Sequence, residues 1–338
     1  MKKKRKFLLF SLFTIFIFFF KIKFFNSLFA NFNKRNQTGV LTHDIVLNHL
    51  ISIDHPEKSE RIIELIKLLE KKKLGTLIRE INFEIKEKNW LKTVHSNYHI
   101  KSLKSKYPIG EKSSLTAVKG CLQGIDEIMK NRHKNIFCAV RPPGHHALNT
   151  GKHEGFCFYN HVAISAKYIQ NKYKLKKVLI VDWDYHHGNS TELFFYKDPS
   201  VLFFSTHDAN AYPRTGSPDR TGSGKGKGYN VNIHLPCGTT DKKIISTYEN
   251  ILVKKANIFK PDFILISAGF DSRKDDPLGC FDISDKGFKT LTTVVLQIAE
   301  NHCNGRLLSI LEGGYNVVGN AKAAVTHIET LNNFYKNI

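Results

Sequence analysis

The sequence lacks the cysteine spacings that mark a zinc module or a disulfide-rich secreted fold. Its six cysteines are scattered over 338 residues, and no two of them form a Cys-x-x-Cys unit. The chain also has no internal repeat and no low-complexity linker. The glycine-rich string at 222–228 lacks the spacing of a P-loop and does not run from a strand straight into a helix. These absences argue against zinc fingers, disulfide scaffolds, solenoids and P-loop nucleotide-binding proteins.

Acidic residues are absent from the first 35 residues, which hold nine of the 51 lysines and arginines. The formal charge of +21 falls to +12 when those nine residues are set aside. The remaining lysines are scattered and do not form a stripe along one predicted element. We therefore expect no direct binding of nucleic acid.

The same N-terminal segment combines a basic start with an apolar run. Residues 1–6 are mostly lysine and arginine, and residues 7–20 carry no charge. This order resembles a secretory signal, and the run is shorter than the about 20 residues of a spanning helix. We expect residues 1–38 to be a signal or membrane-anchor segment that contacts a membrane or the export machinery, either cleaved or retained. The alternative is a cytoplasmic protein with an apolar N-terminal helix.

Residues 39–338 alternate short apolar runs with amphipathic stretches. The runs are Ile136–Val140, Val178–Asp182, Val201–Ser205, Tyr229–Ile233, Phe263–Ser267 and Leu307–Leu311. The stretches are Glu60–Lys73, Leu115–Lys130, His161–Gln170, Asp241–Ile258 and Ser284–Glu300. Strands that alternate with helices predict a single α/β domain with an open, mostly parallel sheet and helices on both faces. The aperiodic stretch 207–228 predicts a long loop, which is usually functional or disordered.

Polar motifs follow at least four of the apolar runs, at 141–147, 182–189, 268–279 and 312–316. Ligands of parallel sheets bind beyond the carboxyl ends of the strands, so these motifs predict one catalytic edge. In the second motif, Asp182, Asp184 and His186 alternate and would emerge on one side of a strand end. Two carboxylates and an imidazole suit zinc or a similar divalent ion. Asp184, His186 and Asp271, which follows another strand, are the candidate ligands.

Two adjacent histidines, His145 and His146, follow a rigid Pro-Pro-Gly turn. Imidazole titrates near neutral pH and can take a proton from water and return one to a leaving amine. Asp182 and Asn189 are the candidate partners that orient the two rings. A carboxylate raises the basicity of a histidine more than an amide does, so the two pKa values should differ. Tyr315, after two glycines, can donate a hydrogen bond to a developing oxyanion.

Together these motifs resemble the zinc-dependent histone deacetylases and acetylpolyamine amidohydrolases of the arginase/deacetylase fold, nearer to the class II and bacterial branch. The resemblance covers roughly residues 38–331. The matching motifs are His55-Pro-Glu57 with Glu60-Arg61, Arg141-Pro-Pro-Gly-His145-His146-Ala147, Gly155-Phe-Cys-Phe-Tyr-Asn160, Val181-Asp-Trp-Asp-Tyr-His-His-Gly-Asn189, Ser267-Ala-Gly-Phe-Asp271 with Asp275-Asp-Pro-Leu-Gly279, and Glu312-Gly-Gly-Tyr315-Asn316.

The resemblance implies a deacetylase that acts on acetylated lysine or an acetylated small amine, with one Zn²⁺ per chain. It assigns the zinc to Asp184, His186 and Asp271 and the catalysis to His145, His146 and Tyr315, with Asp182 and Asn189 behind the histidines. Gly155, Phe156, Tyr212 and Gly314 would line a tunnel for the acyl-lysine stem. A structural K⁺ would involve Asp182, Asp184, His186, Ser205 and Thr206. Arg214 stands where the family more often has glycine, which leaves substrate preference open.

Two other classes of protein stay open. An arginase-type hydrolase would use a two-metal cluster with more aspartates, which the histidine pair and the Gly-Gly-Tyr motif argue against. A non-catalytic acyl-lysine binding protein, or a vestigial membrane-tethered site, would be favoured by loss of a ligand or of Tyr315, and none is lost. The oligomeric state and the physiological substrate are not predicted.

Overall fold

An eight-stranded, fully parallel sheet organises the residues that the structure describes, which are 38–52, 54–84 and 89–335 of the computed structural model. The strands are β1 (Gly39–Leu41), β2 (Thr76–Ile78), β3 (Asn135–Cys138), β4 (Val178–Asp182), β5 (Val201–His207), β6 (Asn230–His234), β7 (Phe263–Ala268) and β8 (Leu307–Leu311). Their order across the sheet is β2-β1-β3-β8-β7-β4-β5-β6. The predicted single α/β domain is confirmed, and its sheet is parallel throughout.

The six predicted strands are β3 to β8. The prediction missed β1 and β2, which have three residues each and form one edge of the sheet. Such short strands give no recognisable apolar run or alternation. The position of β1 depends on pairing with β3, far along the chain, and β2 pairs only with β1.

Helices cover both faces of the sheet. They are α1 (Glu60–Lys72), α2 (Asn97–Lys106), α3 (Pro108–Met129), α4 (His161–Tyr173), α5 (Asn189–Phe195), α6 (Asp241–Thr247), α7 (Val253–Phe259), α8 (Asp285–Cys303) and α9 (Val317–Phe334). A π-helical turn, Tyr248–Leu252, joins α6 to α7, so the predicted helix over 241–258 is interrupted. Several N-termini are capped by side chains; for example, Asn160 accepts the Ala163 N–H at 2.8 Å.

Alternate side chains of the strands enter two separate cores. In β4, Leu179 and Val181 belong to the core beneath α1, α8 and α9, while Val178 and Ile180 belong to the core beneath α3 and α4. This period of two explains why the buried strands read as continuous apolar runs, since both faces are covered.

The strand order brings the four polar motifs together. They follow β3, β8, β7 and β4, which are four adjacent strands in the centre of the sheet. After β3, the chain forms β4 three positions further along the sheet, and β7 and β8 later occupy the two positions between them. Motifs that are far apart in sequence therefore meet at one edge, as expected at a crevice where the strand order reverses.

The predicted signal or anchor segment lies outside the described residues except for Thr38. Within the described ranges, no helix is both long and apolar enough to cross a membrane. The sequence showed no disulfide framework, and the structure adds one pair that spacing did not indicate. Cys237 and Cys280 form a disulfide with their Cα atoms 5.1 Å apart. The other four cysteines are buried and free.

Candidate active site

Three predicted metal ligands converge beyond the ends of β4 and β7. One ligand atom from each of Asp184, His186 and Asp271 lies within 4.8 Å of the others. The Nδ1 atom of His186 is 3.1 Å from Asp184 Oδ1 and 3.0 Å from Asp271 Oδ2. Both aspartates are almost completely buried. Two carboxylates in so dry a place require a cation, which makes this a candidate metal centre.

Backbone N–H groups fix the orientation of the two carboxylates. Asp184 Oδ2 accepts the Gly313 N–H and Asp271 Oδ1 accepts the Tyr185 N–H, each at 2.8 Å. A Cβ atom at Gly269 or Gly313 would collide with the Asp184 or Asp271 carboxylate. The glycines therefore leave the carboxylate oxygens room on the side where they converge.

The pKa values of Asp271 and His186 in this triad are both raised above their ordinary values. Burial and the adjacent Asp184 carboxylate raise the pKa of Asp271 to about 7. Burial alone would lower the pKa of His186, but its hydrogen bonds to Asp184 and Asp271 raise it to about 10. In the absence of a metal, the imidazole thus holds a proton that balances the carboxylates. The donor set of two oxygens and one nitrogen fits zinc, which would take the place of that proton.

The two histidines after β3 lie beside this triad with different partners. The Nδ1 atom of His145 is 3.0 Å from Asp182 Oδ2, and the Nδ1 atom of His146 is 2.8 Å from Asn189 Oδ1. Their ring centroids are 4.0 Å apart, and His145 Nε2 is 3.8 Å from Asp184 Oδ1. Each ring therefore directs its Nε2 atom away from its own partner.

The pKa values of the pair are shifted in opposite directions. Burial lowers the pKa of both rings, but the carboxylates of Asp184, Asp182 and Glu312 raise that of His145 well above its ordinary value. The pKa of His146 falls well below its ordinary value because burial is reinforced by positive charge on His145 and His186. The difference expected from a carboxylate partner and an amide partner has this same sign.

Tyr315 reaches the site from β8, next to the metal triad. Its backbone N–H donates to Asp276 Oδ2 at 2.6 Å, and the Arg61 guanidinium lies 4.9 Å from the centre of its ring. Burial raises the pKa of the Tyr315 phenol well above its usual range, so the hydroxyl is protonated at neutral pH. A protonated phenol at this position can donate a hydrogen bond.

Two aromatic rings and a glycine lie close to His146 and Tyr315. The ring of Phe156 lies edge-on to Tyr315, with centroids 5.9 Å apart, and Tyr212 lies edge-on to His146 at 5.0 Å. A Cβ atom at Gly155, which has a φ of +49°, would collide with His146 and contact Tyr212. Gly155, Phe156 and Tyr212, which the sequence predicts to line a narrow passage for the substrate, thus lie beside His146 and Tyr315.

The remaining predicted positions are Gly314, Ser205 and Thr206. A Cβ atom at Gly314 would point at Asn320 and Phe270, so this glycine serves the close approach of backbone. Ser205 pairs with Asp182 in the register of β4 and β5, and Thr206 is the next residue of β5. The Ser205 hydroxyl is 2.8 Å from His207 Nδ1.

A buried carboxylate that sequence reasoning left without a role connects three motifs. Glu312 Oε2 accepts the N–H groups of Gly144 at 2.6 Å and His145 at 3.2 Å, and its Oε1 accepts the Ser267 hydroxyl at 3.0 Å. Burial raises the pKa of Glu312 to about 7. The available signal was a glutamate directly after a strand of buried apolar residues.

A second missed group is a buried ion cluster from the N-terminal part of the domain. Glu57 accepts hydrogen bonds from Arg141 at 2.7 and 2.9 Å and from Arg61 at 3.1 Å. Arg61 also donates to the carbonyls of Glu312 and Gly314. All three charged residues are fully buried. This cluster holds the turn that carries Tyr315 against the start of α1.

Comparison with known proteins agrees with this geometry. The histone deacetylase domain profile matches residues 55–331. A probable deacetylase of Archaeoglobus fulgidus is 35% identical over 297 residues, which are 83% of this chain and 82% of that protein. Histone deacetylase 15 of Arabidopsis thaliana is 43% identical over 215 residues, which are 62% of this chain and 38% of that longer protein.

A solved structure is similar over almost the whole domain. The crystal structure of the HDA15 HD domain superposes with a TM-score of 0.79 at 34% identity, covering 87% of this chain and 90% of that one. The chain belongs to the histone deacetylase family. The resemblance inferred from the motifs is thus confirmed, and the protein is a deacetylase-family member with a candidate metal triad.

Proposed function

We propose that the protein is a zinc-dependent amide hydrolase that removes an acetyl group from acetyl-lysine or from an acetylated small amine. The observation that carries this proposal is the largely buried triad of Asp184, His186 and Asp271 beside a histidine pair with unlike partners. Zinc at the triad would supply the electrophilic charge that makes water acidic enough to attack an amide near neutral pH.

The unlike partners assign different tasks to the two histidines. The amide of Asn189 cannot neutralise an imidazolium, so His146 is the better acceptor for the proton of the attacking water. The carboxylate of Asp182 stabilises a cationic His145, which would add positive charge beside the reacting carbonyl. The pair then returns a proton to the departing amine. Asp182 and Asn189 act by holding each ring through its Nδ1 atom.

Tyr315 would stabilise the oxyanion of the tetrahedral intermediate. Its phenol is protonated and is held beside the triad by Asp276 and by the stacked Arg61 guanidinium. A donor that is already fixed in place needs no reorganisation when charge develops on the carbonyl oxygen. Gly155, Phe156 and Tyr212 would enclose the methylene stem of the substrate, with Gly314 allowing the backbone beneath to approach closely.

We also propose a structural K⁺ next to the zinc site. The support is the register that places Ser205 beside Asp182, together with the turn from Asp184 to His186. The residues involved would be Asp182, Asp184, His186, Ser205 and Thr206.

The test is turnover by the purified, zinc-loaded chain. We expect hydrolysis of an acetyl-lysine peptide or of an acetylpolyamine, inhibition by a hydroxamate chelator, and loss of activity when zinc is removed. A protein that binds acetyl-lysine without releasing acetate would instead support the non-catalytic binding protein. Urea release from arginine would support the arginase-type alternative.

We propose separately that residues 1–38 direct the chain to a membrane or to the export machinery. The support is their basic start and uncharged run. Fractionation of cells that express the chain with and without residues 1–38 tests this. Equal recovery of both forms in the cytoplasmic fraction would favour the cytoplasmic alternative.

A further inference from the structure

Arg214 lies on the loop that carries Tyr212, one of the residues of the proposed passage. It is two residues after Tyr212, whose ring is edge-on to His146 at a centroid distance of 5.0 Å. The Arg214 N–H donates to the Ala211 carbonyl at 2.8 Å, which closes a tight turn. Its side chain is exposed to solvent. Any substrate that extends beyond the passage would therefore come close to this guanidinium.

The backbone of Arg214 is in a conformation that favours glycine. Its φ is +61°, in the left-handed region that side chains with a Cβ atom rarely adopt. Arginine here costs conformational energy that glycine would not cost. No ion pair with a described residue offsets that cost, since no carboxylate of the described ranges lies within salt-bridge distance of Arg214.

A groove extends from Arg214 to the residues behind the catalytic pair. Its volume is about 890 Å³, including space open to solvent. It is lined by Arg214, Thr215, Leu148, Asn189, Glu192 and Arg220. Because Arg214 is two residues after Tyr212, this open groove begins beside the proposed passage.

The two arginines of this groove differ in their charge balance. Arg220 is paired with the Glu192 carboxylate, at 2.6 Å from Nη2 and 2.7 Å from Nε. Glu192 is itself buried. Glu154 adds negative charge near Tyr212, and its carboxylate accepts the Thr150 hydroxyl at 2.9 Å. Arg220 therefore has an ion-pair partner, whereas Arg214 has none among the described residues that line the groove.

We propose that Arg214 selects peptides in which an acidic residue flanks the acylated lysine. This inference rests on the proposed deacetylase function and names its substrate class. The guanidinium would pair with a carboxylate of the substrate outside the passage, with both oxygens available to its planar donors. The same charge repels acetylpolyamines, since their remaining amines are cationic.

The test compares three peptides that differ only in the residues flanking acetyl-lysine, which are glutamate, glutamine or lysine. With the zinc-loaded full chain at low salt, kcat/KM should be about tenfold higher for the glutamate peptide than for the lysine peptide. The ratio should approach one at about 1 M salt because the charges are exposed. Arg214→Gly should abolish the preference and Arg214→Glu should reverse it. Glycine fits the positive φ, so the first variant keeps the turn.

Lys255→Glu is the matched control. Lys255 is exposed on α7, which precedes the amino end of β7 and so lies at the opposite edge of the sheet from the site. It changes the net charge as Arg214→Glu does, but it should leave the peptide ratio unchanged. An equal ratio for the three peptides with wild-type enzyme, faster turnover of acetylspermidine than of the glutamate peptide, or a preference that survives Arg214→Gly would overturn the proposal. Failure to hydrolyse any acetylated substrate would instead refute the deacetylase function itself.

Discussion

The two ends of the proposed passage differ in how many contacts the protein makes to their side chains. At the inner end lies a floor made of Asp184, His186, Asp271, His145 and His146. Four of the five are buried and His186 is partly exposed, and their polar atoms have partners that follow several different strands. At the outer end, a rim loop of residues 209–217 exposes Tyr212 at 46% and Arg214, which has no ionic partner among the described residues. A side chain with hydrogen-bond partners on several sides keeps the exact position that catalysis requires. An exposed side chain without such partners can take different positions beside different substrates.

The largest expected effect is at the floor. Asp184→Ala removes one proposed metal ligand and the acceptor of the Gly313 N–H, so the protein should lose its metal and about 10³-fold or more of its turnover. Metal content and kcat/KM are measured on the same sample. Asp219→Ala, an exposed residue close to the rim loop, is the control and should retain both. An Asp184→Ala enzyme that is active without metal would contradict the assigned triad.

Tyr315→Phe should cost about 10²–10³ in kcat, because one donor to the oxyanion is removed while the ring is kept. The metal content should not change, since the hydroxyl is not one of the three ligands. Single-turnover kinetics with an acetyl-lysine peptide separates this loss from any change in binding. Full turnover by a metal-loaded Tyr315→Phe enzyme would remove the tyrosine from the mechanism.

Substitutions of Glu312 test whether the floor depends on a residue that holds the loop of the histidine pair without contacting the substrate. Glu312→Ala leaves the Gly144 and His145 N–H groups without their acceptor and should lower the free energy of unfolding by roughly 2–4 kcal/mol. Glu312→Gln should be milder, because its oxygen can accept both N–H groups while its NH₂ donates to Ser267. Urea unfolding and kcat/KM are the measurements. Equal effects of the two substitutions would show that the charge, and not the hydrogen bonds, is what matters.

Three buried histidines that lie away from the floor should make the stability of the protein depend on pH. Burial lowers the pKa of His95, His161 and His327 to about 3 each, because none has a carboxylate partner. Their folded pKa values lie below the ordinary 6.5, so the unfolded chain binds more protons and stability is lost as pH falls below 6.5. From pH 7 to pH 5 each should cost roughly 2 kcal/mol of unfolding free energy.

Urea unfolding at both pH values checks this, with a chelator present so that metal loss does not contribute. His327, held between the hydroxyls of Thr292 and Ser309, offers the matched variant. His327→Gln should reduce the difference between the two pH values by roughly 2 kcal/mol. A pH difference that is the same for His327→Gln and for the wild type would show that the His327 ring is already charged at pH 5 in the folded protein.

The same contrast explains which parts of the molecule the sequence could predict. Asp184, His186 and Asp271 follow apolar strands, and the carboxyl ends of parallel strands share one edge, so their convergence could be expected. The hydrogen bonds that hold the loops of the site in place could not be predicted in this way. Arg61 donates to the carbonyl of Gly314, 253 residues along the chain, and that contact depends on a strand order that local patterns do not contain. Arg214 stood out as unusual, but only the structure shows that its charge has no ionic partner among the described residues.

The most direct test of the account is a zinc titration of metal-free protein. We expect hydrolysis of an acetyl-lysine peptide to rise linearly and to stop rising at one zinc per chain. Bound zinc should also displace the proton of His186, so the metal affinity should fall as the pH is lowered. Turnover that is already complete before zinc is added, with a chelator present, would contradict the central claim.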